Sequence, residues 1–273
     1  MLKNKSYITW LIKRSYWRFR LELISGRDDL PRSLFKNKRI IIIGPASEVE
    51  LDAKGKDIDD YDIIIRMNAG VKHATELSGA LGNRTDFLFH NFKMEGERAA
   101  GVLNNKILNE HKVKKIIYPT LTAATLKDYL QKRESLKRTI QEVEVAFLPP
   151  SSYRRICRKF TPYSPTIGSI IIDFVLSTDF KELCIIGMSL FRTGYDQHYN
   201  NKAPDVSSTR KWTEAGGVHN PDFDFAITSR ALREAIDDER NIVLGRGLSE
   251  ALGVPFKGIS TVEMSRHDES SSF

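Results

Sequence analysis

The sequence predicts an α/β fold, one domain built on a mostly parallel β-sheet with helices on both faces. Three observations predict it. Short apolar, β-branched runs recur along the chain, several of them ending at a glycine. Stretches of helical pattern lie between them, and strands that alternate with helices pair in parallel. At 273 residues the chain suits one such domain with a large core and is short for two. The architecture expected is a single Rossmann-like domain.

Residues 1–35 read as a basic amphipathic helical region. Within it, Tyr7, Trp10, Leu11 and Trp17 can share one side of a helix, while Lys13, Arg14, Arg18 and Arg20 lift their charges toward water. Such a helix either packs on the domain or lies on a membrane surface through residues 7–24. Residues 36–263 form the folded domain, and 264–273 a polar, disordered tail. RIIIIG (39–44) is a buried strand that feeds a turn. Further strands are expected at 61–68, 85–91, 114–120, 144–149, 183–189 and 241–245, and helices at 97–110, 123–142, 168–178 and 226–237. Ligands of such sheets bind beyond the carboxyl ends of the strands.

A net charge of +7 favours an anionic partner: a nucleotide, an acidic glycan or a membrane surface. Nucleic acid is disfavoured, because the cations are not interleaved with a recognisable DNA or RNA motif. The two cysteines, Cys157 and Cys184, make no disulfide framework, and Cys184 falls inside an apolar run as a buried strand residue. No secretory signal and no apolar run of the roughly 20 residues that span a bilayer is visible, so a cytoplasmic location is expected.

Five segments carry candidate chemistry. GPASEVE (44–50) is not a G-x-G-x-x-G fingerprint, but Gly44 lets a backbone approach a ligand closely, and Ser47 offers a hydroxyl. RMNAG (66–70) closes the second strand with Asn68, whose amide both donates and accepts. SPTIGSIII (164–172) sets Thr166 as a helix cap and Gly168 at a helix start, where exposed N–H groups attract anions. HYNN (198–201) and GVHNPDFD (217–224) put His198, with Tyr199 beside it, and His219 in polar loops. Histidine titrates near neutrality, so paired loop histidines suit acid–base work. Asp60-Tyr61-Asp62 has a D-x-D form used for metals, and His219 lies near Asp222 and Asp224. The D-x-D opens the strand IIIRMN and such pairs are common, the His219 set has no further ligand spaced to complete it, and no metal is expected.

Together these segments resemble the sialyltransferases of glycosyltransferase family 29. RIIIIGPASEVE through RMNAG to LGNRTDFLFHN resembles the large sialylmotif, SPTIGSIII through CIIGMSLF the small one, HYNN the third motif, and GVHNPDFD the very small one. The four stand in the family order over about residues 39–224. There are departures: Pro45 replaces an Asn, Thr166-Ile167 replaces Ser-Thr, Asp224 replaces Glu, and the large motif lacks the cysteine of the family disulfide. They fit a bacterial-type cytoplasmic member.

The resemblance implies a glycosyltransferase domain of the GT-A-variant type over residues 36–263. It also implies metal-independent, inverting transfer of sialic acid or a related ulosonic acid from a CMP-sugar to a glycan or lipid-linked glycan. The CMP-sugar is a substrate, so no cofactor is expected. His219 would be the general base and His198 would meet the departing phosphate. Gly44, Ser47, Asn68, Thr166 and Gly168 would hold the nucleotide, and Asp224 would orient the His219 segment. A Kdo transferase using CMP-Kdo shares every one of these features. Acceptor choice is expected to reside in residues 92–112 and 200–216. Two other readings are a Rossmann-type dehydrogenase or methyltransferase, which the missing glycine fingerprint opposes, and a basic nucleic-acid- or membrane-binding module without catalysis.

Overall fold

The computed structural model describes residues 15–25, 28–53, 58–77, 79–97, 99–140 and 143–256. Seven strands form one sheet: β1 (Arg39–Ile43), β2 (Ile63–Met67), β3 (Phe87–Phe89), β4 (Lys115–Tyr118), β5 (Glu144–Phe147), β6 (Glu182–Ile186) and β7 (Ile242–Leu244). Their order is β5-β4-β3-β2-β1-β6-β7, and every pairing is parallel. Every expected strand is present, most of them shorter than expected and inside the expected range, and β6 begins one residue before it.

β1 is central, with Ile41 opposite Ile64 on one side and Cys184 on the other. A strand covered on both faces has no polar side, which is why it reads as four successive isoleucines. Alternate residues enter different cores. Ile40, Ile42, Ile63 and Ile65 pack against Ile171, Phe174 and Leu232. Ile41, Ile43, Ile64 and Cys184 pack against Val49 and Leu81. Cys184 is fully buried, and burial pushes its thiol up to about 12.

The helices that matter for the site are α1 (15–24), α2 (Val49–Asp52), α3 (Gly70–Glu76), α4 (Asn105–Glu110), α5 (Leu126–Thr139), α6 (Pro150–Phe160), α7 (Ile167–Leu176), α8 (Gln197–Asn200), α9 (Val206–Glu214), α10 (Pro221–Asp237) and α11 (Arg246–Leu252). On α1, Trp17 and Ile24 pack on the core residue Leu21 and its neighbours, so Trp17 docks on the domain. Tyr7, Trp10 and Leu11 lie outside the described residues, as does the expected tail 264–273.

Two expectations about helices change. The helix expected over 97–110 is only α4, because Gly101 takes a positive φ (+110°) that a helix cannot hold. GVHNPDFD is half helix. Asn220 accepts from the Phe223 N–H at 2.9 Å and Pro221 opens α10, an N-terminus written in the sequence as cap then proline.

β1 and β6 are adjacent in the sheet, but the chain leaves them toward opposite edges. Their ends touch: Gly44 N–H donates to Ile186 O at 2.9 Å, and Ala46 N–H to Gly187 O at 2.7 Å. A Cβ on Gly44 would lie 2.3 Å from Gly187 O and 2.2 Å from Met188 Cγ. Gly44→Ala should therefore lower stability by about 1–3 kcal/mol through overpacking, read as a lower midpoint in urea with an unchanged slope.

Candidate active site

The divergence of β1 and β6 opens a crevice at the carboxyl ends of the strands, a cavity of about 880 Å³. Asn68, Thr166, Gly168, His198, Tyr199 and His219 all line it. Four segments far apart in sequence thus converge on one space.

His219 sits just before α10, and its Nδ1 lies 2.8 Å from the carbonyl oxygen of Ser164. A carbonyl can only accept, so Nδ1 carries the proton and Nε2 keeps its lone pair. His198 sits in α8, with Nδ1 3.1 Å from Asp196 Oδ1. Tyr199 follows, its ring against Tyr195 and its hydroxyl in contact with the Asn68 side chain; burial pushes its phenol well up. Asn68 takes φ +48°, and its buried Oδ1 has no partner among the described residues. An acceptor left orphaned at a cavity wall is open to a ligand N–H or O–H.

Thr166 stands at the cap position of α7 but does not cap it. Its hydroxyl and its N–H both donate to Asp224 Oδ1, at 3.0 and 3.1 Å, and Ser169 Oγ donates to the same oxygen at 2.6 Å. Asp224 is buried, 1% exposed, behind the cavity wall, and it ties the start of α10 to the start of α7. Its position fixes the two turns that present Thr166 and His219.

Gly44 and Ser47 do not line the cavity. Gly44 packs on Gly187, and the Ser47 hydroxyl turns to Glu48 Oε2 at 3.2 Å. The turn they form is instead an anchor: Ser47 N–H donates to Gly194 O at 3.0 Å, and Asp196 N–H to Pro45 O at 2.8 Å. Pro45 and Ala46 reach the cavity in their place.

The segments expected to choose the acceptor both reach the cavity, through Lys93 and Ala100 on one side and Lys202 and Trp212 on the other. Among the residues that sequence reasoning missed, Met188 and Ser189 line the cavity from the end of β6, and Asp196 and His73 stand behind His198. Only the charge of Asp196, two positions before a candidate histidine, was a readable signal. Asp60 and Asp62 belong to the other end of the sheet, where Asp62 Oδ2 accepts from Arg39 N–H at 2.8 Å at the start of β1. Among the described residues, no three of His, Cys, Asp and Glu gather where they could hold a metal.

Fold and site together define an α/β enzyme with its polar groups on loops around a switch-point crevice. Residues 24–235 match the model of glycosyltransferase family 29 (sialyltransferase). The chain belongs to that family and is a glycosyltransferase. A mammalian sialyltransferase solved with Gal-β-1,3-GalNAc-ortho-nitrophenol superposes at a TM-score of 0.53 and 17% identity, over 89% of this chain and 86% of that one. The sialyltransferase CstII from Campylobacter jejuni, solved with cytidine-5'-monophosphate, superposes at 0.50 and 12% identity, over 83% of this chain and 88% of that one. No curated protein matches the sequence.

Burial raises the pKa of Asp224 above its ordinary value, against the hydrogen bonds from Ser169 and Thr166 that pull it down. Between the unfolded and the raised folded value the native state holds more protons, so this group's contribution to stability falls as pH climbs through that window. Asp224→Asn should remove that slope. Denaturant titrations are expected to show the variant gaining on the parent from pH 3.5 to pH 7. Asp224→Ala, which strands three donors, should lose about 1–3 kcal/mol at either pH.

Proposed function

We propose that this glycosyltransferase moves sialic acid, or a related ulosonic acid, from a CMP-sugar to a glycan hydroxyl by a single inverting displacement that uses no metal. The observation that carries the reading is the wiring of His219. With Nδ1 committed to Ser164 O, its Nε2 is the basic nitrogen of a residue that lines the crevice. That nitrogen takes the proton of the acceptor hydroxyl as it attacks the anomeric carbon of the donor, while the bond from that carbon to the phosphate oxygen breaks. His198, in the same crevice, donates to the departing phosphate and meets its growing charge. Asn68 Oδ1, the Thr166–Gly168 turn and Tyr199 frame the nucleotide.

Several findings support this assignment. The family is that of the sialyltransferases, and relatives in fold were solved with CMP, one of them together with a trisaccharide acceptor. CMP is a monophosphate, so less charge develops on the leaving group than on a diphosphate, and histidine with helix-start N–H groups can balance it. Lys93 on the cavity wall suits the carboxylate of an ulosonic acid, while Lys72 and Lys202 are paired with Glu76 and Glu97.

Purified protein in EDTA should release CMP from CMP-sialic acid or from CMP-Kdo in the presence of a glycan acceptor, and the donor that turns over names the sugar. His219→Ala should cut kcat by 10²–10⁴, as loss of a general base does, with CMP affinity nearly unchanged. A variant that keeps more than about a tenth of the rate would take the base role away from His219.

We also propose that α1 rests on an anionic membrane surface at the inner face, within reach of a lipid-linked glycan. Opposite its docked side it exposes Tyr16, Phe19 and Leu23 (49, 59 and 56%), interleaved with Arg18 and Arg20. Aromatic and aliphatic groups among cations are what an interface helix presents to anionic lipid. Among the described residues no helix is long and apolar enough to cross a membrane. The chain should co-sediment with vesicles containing phosphatidylglycerol and not with neutral ones. Phe19→Ser with Leu23→Ser should abolish that binding while CMP release from a soluble acceptor assay stays intact.

A further inference from the structure

His198 does not stand alone on its loop. Asp196 Oδ1 accepts from the His198 backbone N–H at 2.8 Å and lies 3.1 Å from its ring Nδ1. The backbone of Asp196 is itself fixed, its N–H donating to Pro45 O at 2.8 Å. Asp196 does not line the cavity, whereas His198 does. The carboxylate thus reaches the cavity through the imidazole.

A second imidazole backs the same oxygen. His73, from α3, is 1% exposed, and its Nε2 lies 3.1 Å from Asp196 Oδ1. That nitrogen has no aligned hydrogen-bond partner among the described residues. The His73 ring is held edge-on by Tyr199 (centroids 5.7 Å, 70°). Burial lowers its pKa, with Arg66 and His198 adding to the shift and Asp196 opposing it, so His73 is a neutral ring. Packing alone would be met by an aliphatic or a phenyl side chain. An imidazole nitrogen 3.1 Å from a carboxylate oxygen adds an electrostatic contact on the buried side of Asp196.

The geometry points to Asp196, backed by His73, as the positioning pair that holds His198 with Nδ1 protonated and Nε2 turned to the crevice. This inference deepens the role given to His198 above and rests on that reading. A carboxylate only accepts, so the Nδ1 proton stays on the ring. When a phosphate arrives on the Nε2 side, the ring lies between two oxygen anions. A ring so placed carries both protons and donates in both directions. His73 stands against the same carboxylate oxygen and adds a second contact that holds Asp196 in place. Neither Asp196 nor His73 touches the substrate. They act by deciding which nitrogen of His198 faces it.

The test has two arms. In the first, the unmutated full chain is labelled with ¹⁵N-histidine and read by NMR at neutral pH, with and without CMP. Free protein should show the neutral His198 ring protonated on Nδ1, and CMP should convert it to the doubly protonated form. A resting ring protonated on Nε2 would overturn the proposal. If CMP moves no histidine signal and neither CMP-sugar turns over, it is the functional reading that fails, and the resting tautomer still decides the role of Asp196.

The second arm is a double-mutant cycle on transfer rate. Asp196→Asn should lower kcat by roughly 10–100-fold, as loss of an imidazole's outer partner does, with donor KM unchanged. In a His198→Gln background the same change should cost less than about twofold, because its effect passes through His198. His73→Phe, which keeps the ring's packing, should lower kcat about fivefold to tenfold in the parent alone. Equal losses in both backgrounds would make the pair scaffolding and overturn the proposal.

Discussion

The structure depends on a contact between two glycines. At the ends of β1 and β6, Gly44 and Gly187 lie backbone to backbone; a Cβ on Gly187 would stand 2.7 Å from Gly44 O, and the residue takes φ +60°. Only residues without side chains let the two strands stay paired to their last residues and then part. Where they part, one loop goes on toward β2 and the other toward β7, and the crevice is the space between them. The turn after Gly44 then anchors Gly194 and Asp196, which places α8 and His198 over that space. One steric constraint at the middle of the sheet thus sets both the opening of the site and the position of one of its histidines.

Much of what looks like functional sequence is the support for that arrangement. Arg66, in β2, is fully buried, gives Nε to Thr85 Oγ1 at 3.0 Å and another nitrogen to Leu81 O, and burial pulls its pKa down to about 10. Arg84 bonds the carbonyls of Asp59 and Tyr61 and the carboxylate of Asp86. These groups lock the loop between α3 and β3, and none of them lines the cavity. Asp224 does the same between α7 and α10. A buried charge misplaced by one side chain costs several kcal/mol, so such residues hold the backbone more firmly than apolar packing would.

The fold was legible because parallel strands advertise themselves. A run such as RIIII or ELCII, buried on both faces, has no solvated side to break it. The helices were less legible. α6 was passed over: it opens with prolines and carries Arg154, Arg155, Arg158 and Lys159, and the burial of Ile156 and Phe160 that makes it amphipathic is set by the sheet it covers. At the site, the residues lining the crevice at Asn68, Thr166, Gly168, His198, Tyr199 and His219 could be named from their segments, since each ends a strand or opens a helix. The direction in which a side chain turns could not. Gly44 and Ser47 belong to the right turn and face away from the cavity, and Asp196 and His73, 123 residues apart in the chain, meet only in the folded protein.

The proposed reading gives the two histidines of the crevice two different tasks. Both are tied down through Nδ1, so in both Nε2 is the nitrogen left for the cavity. What differs is the partner. The oxygen facing His219 Nδ1 is the neutral carbonyl of Ser164, which fixes the tautomer and adds no charge. In the proposed reading that tautomer leaves the Nε2 lone pair for the acceptor's proton. Behind His198 stands the carboxylate of Asp196, which in the proposed reading stabilises a second proton on the ring by an ion pair and so lets it donate. In the proposed displacement the first must take a proton from the acceptor and the second must face a phosphate that gains charge as it leaves. In the proposed reading the two roles follow from the second atom each ring touches, a backbone carbonyl for His219 and a carboxylate for His198, which would separate two otherwise identical groups into base and donor.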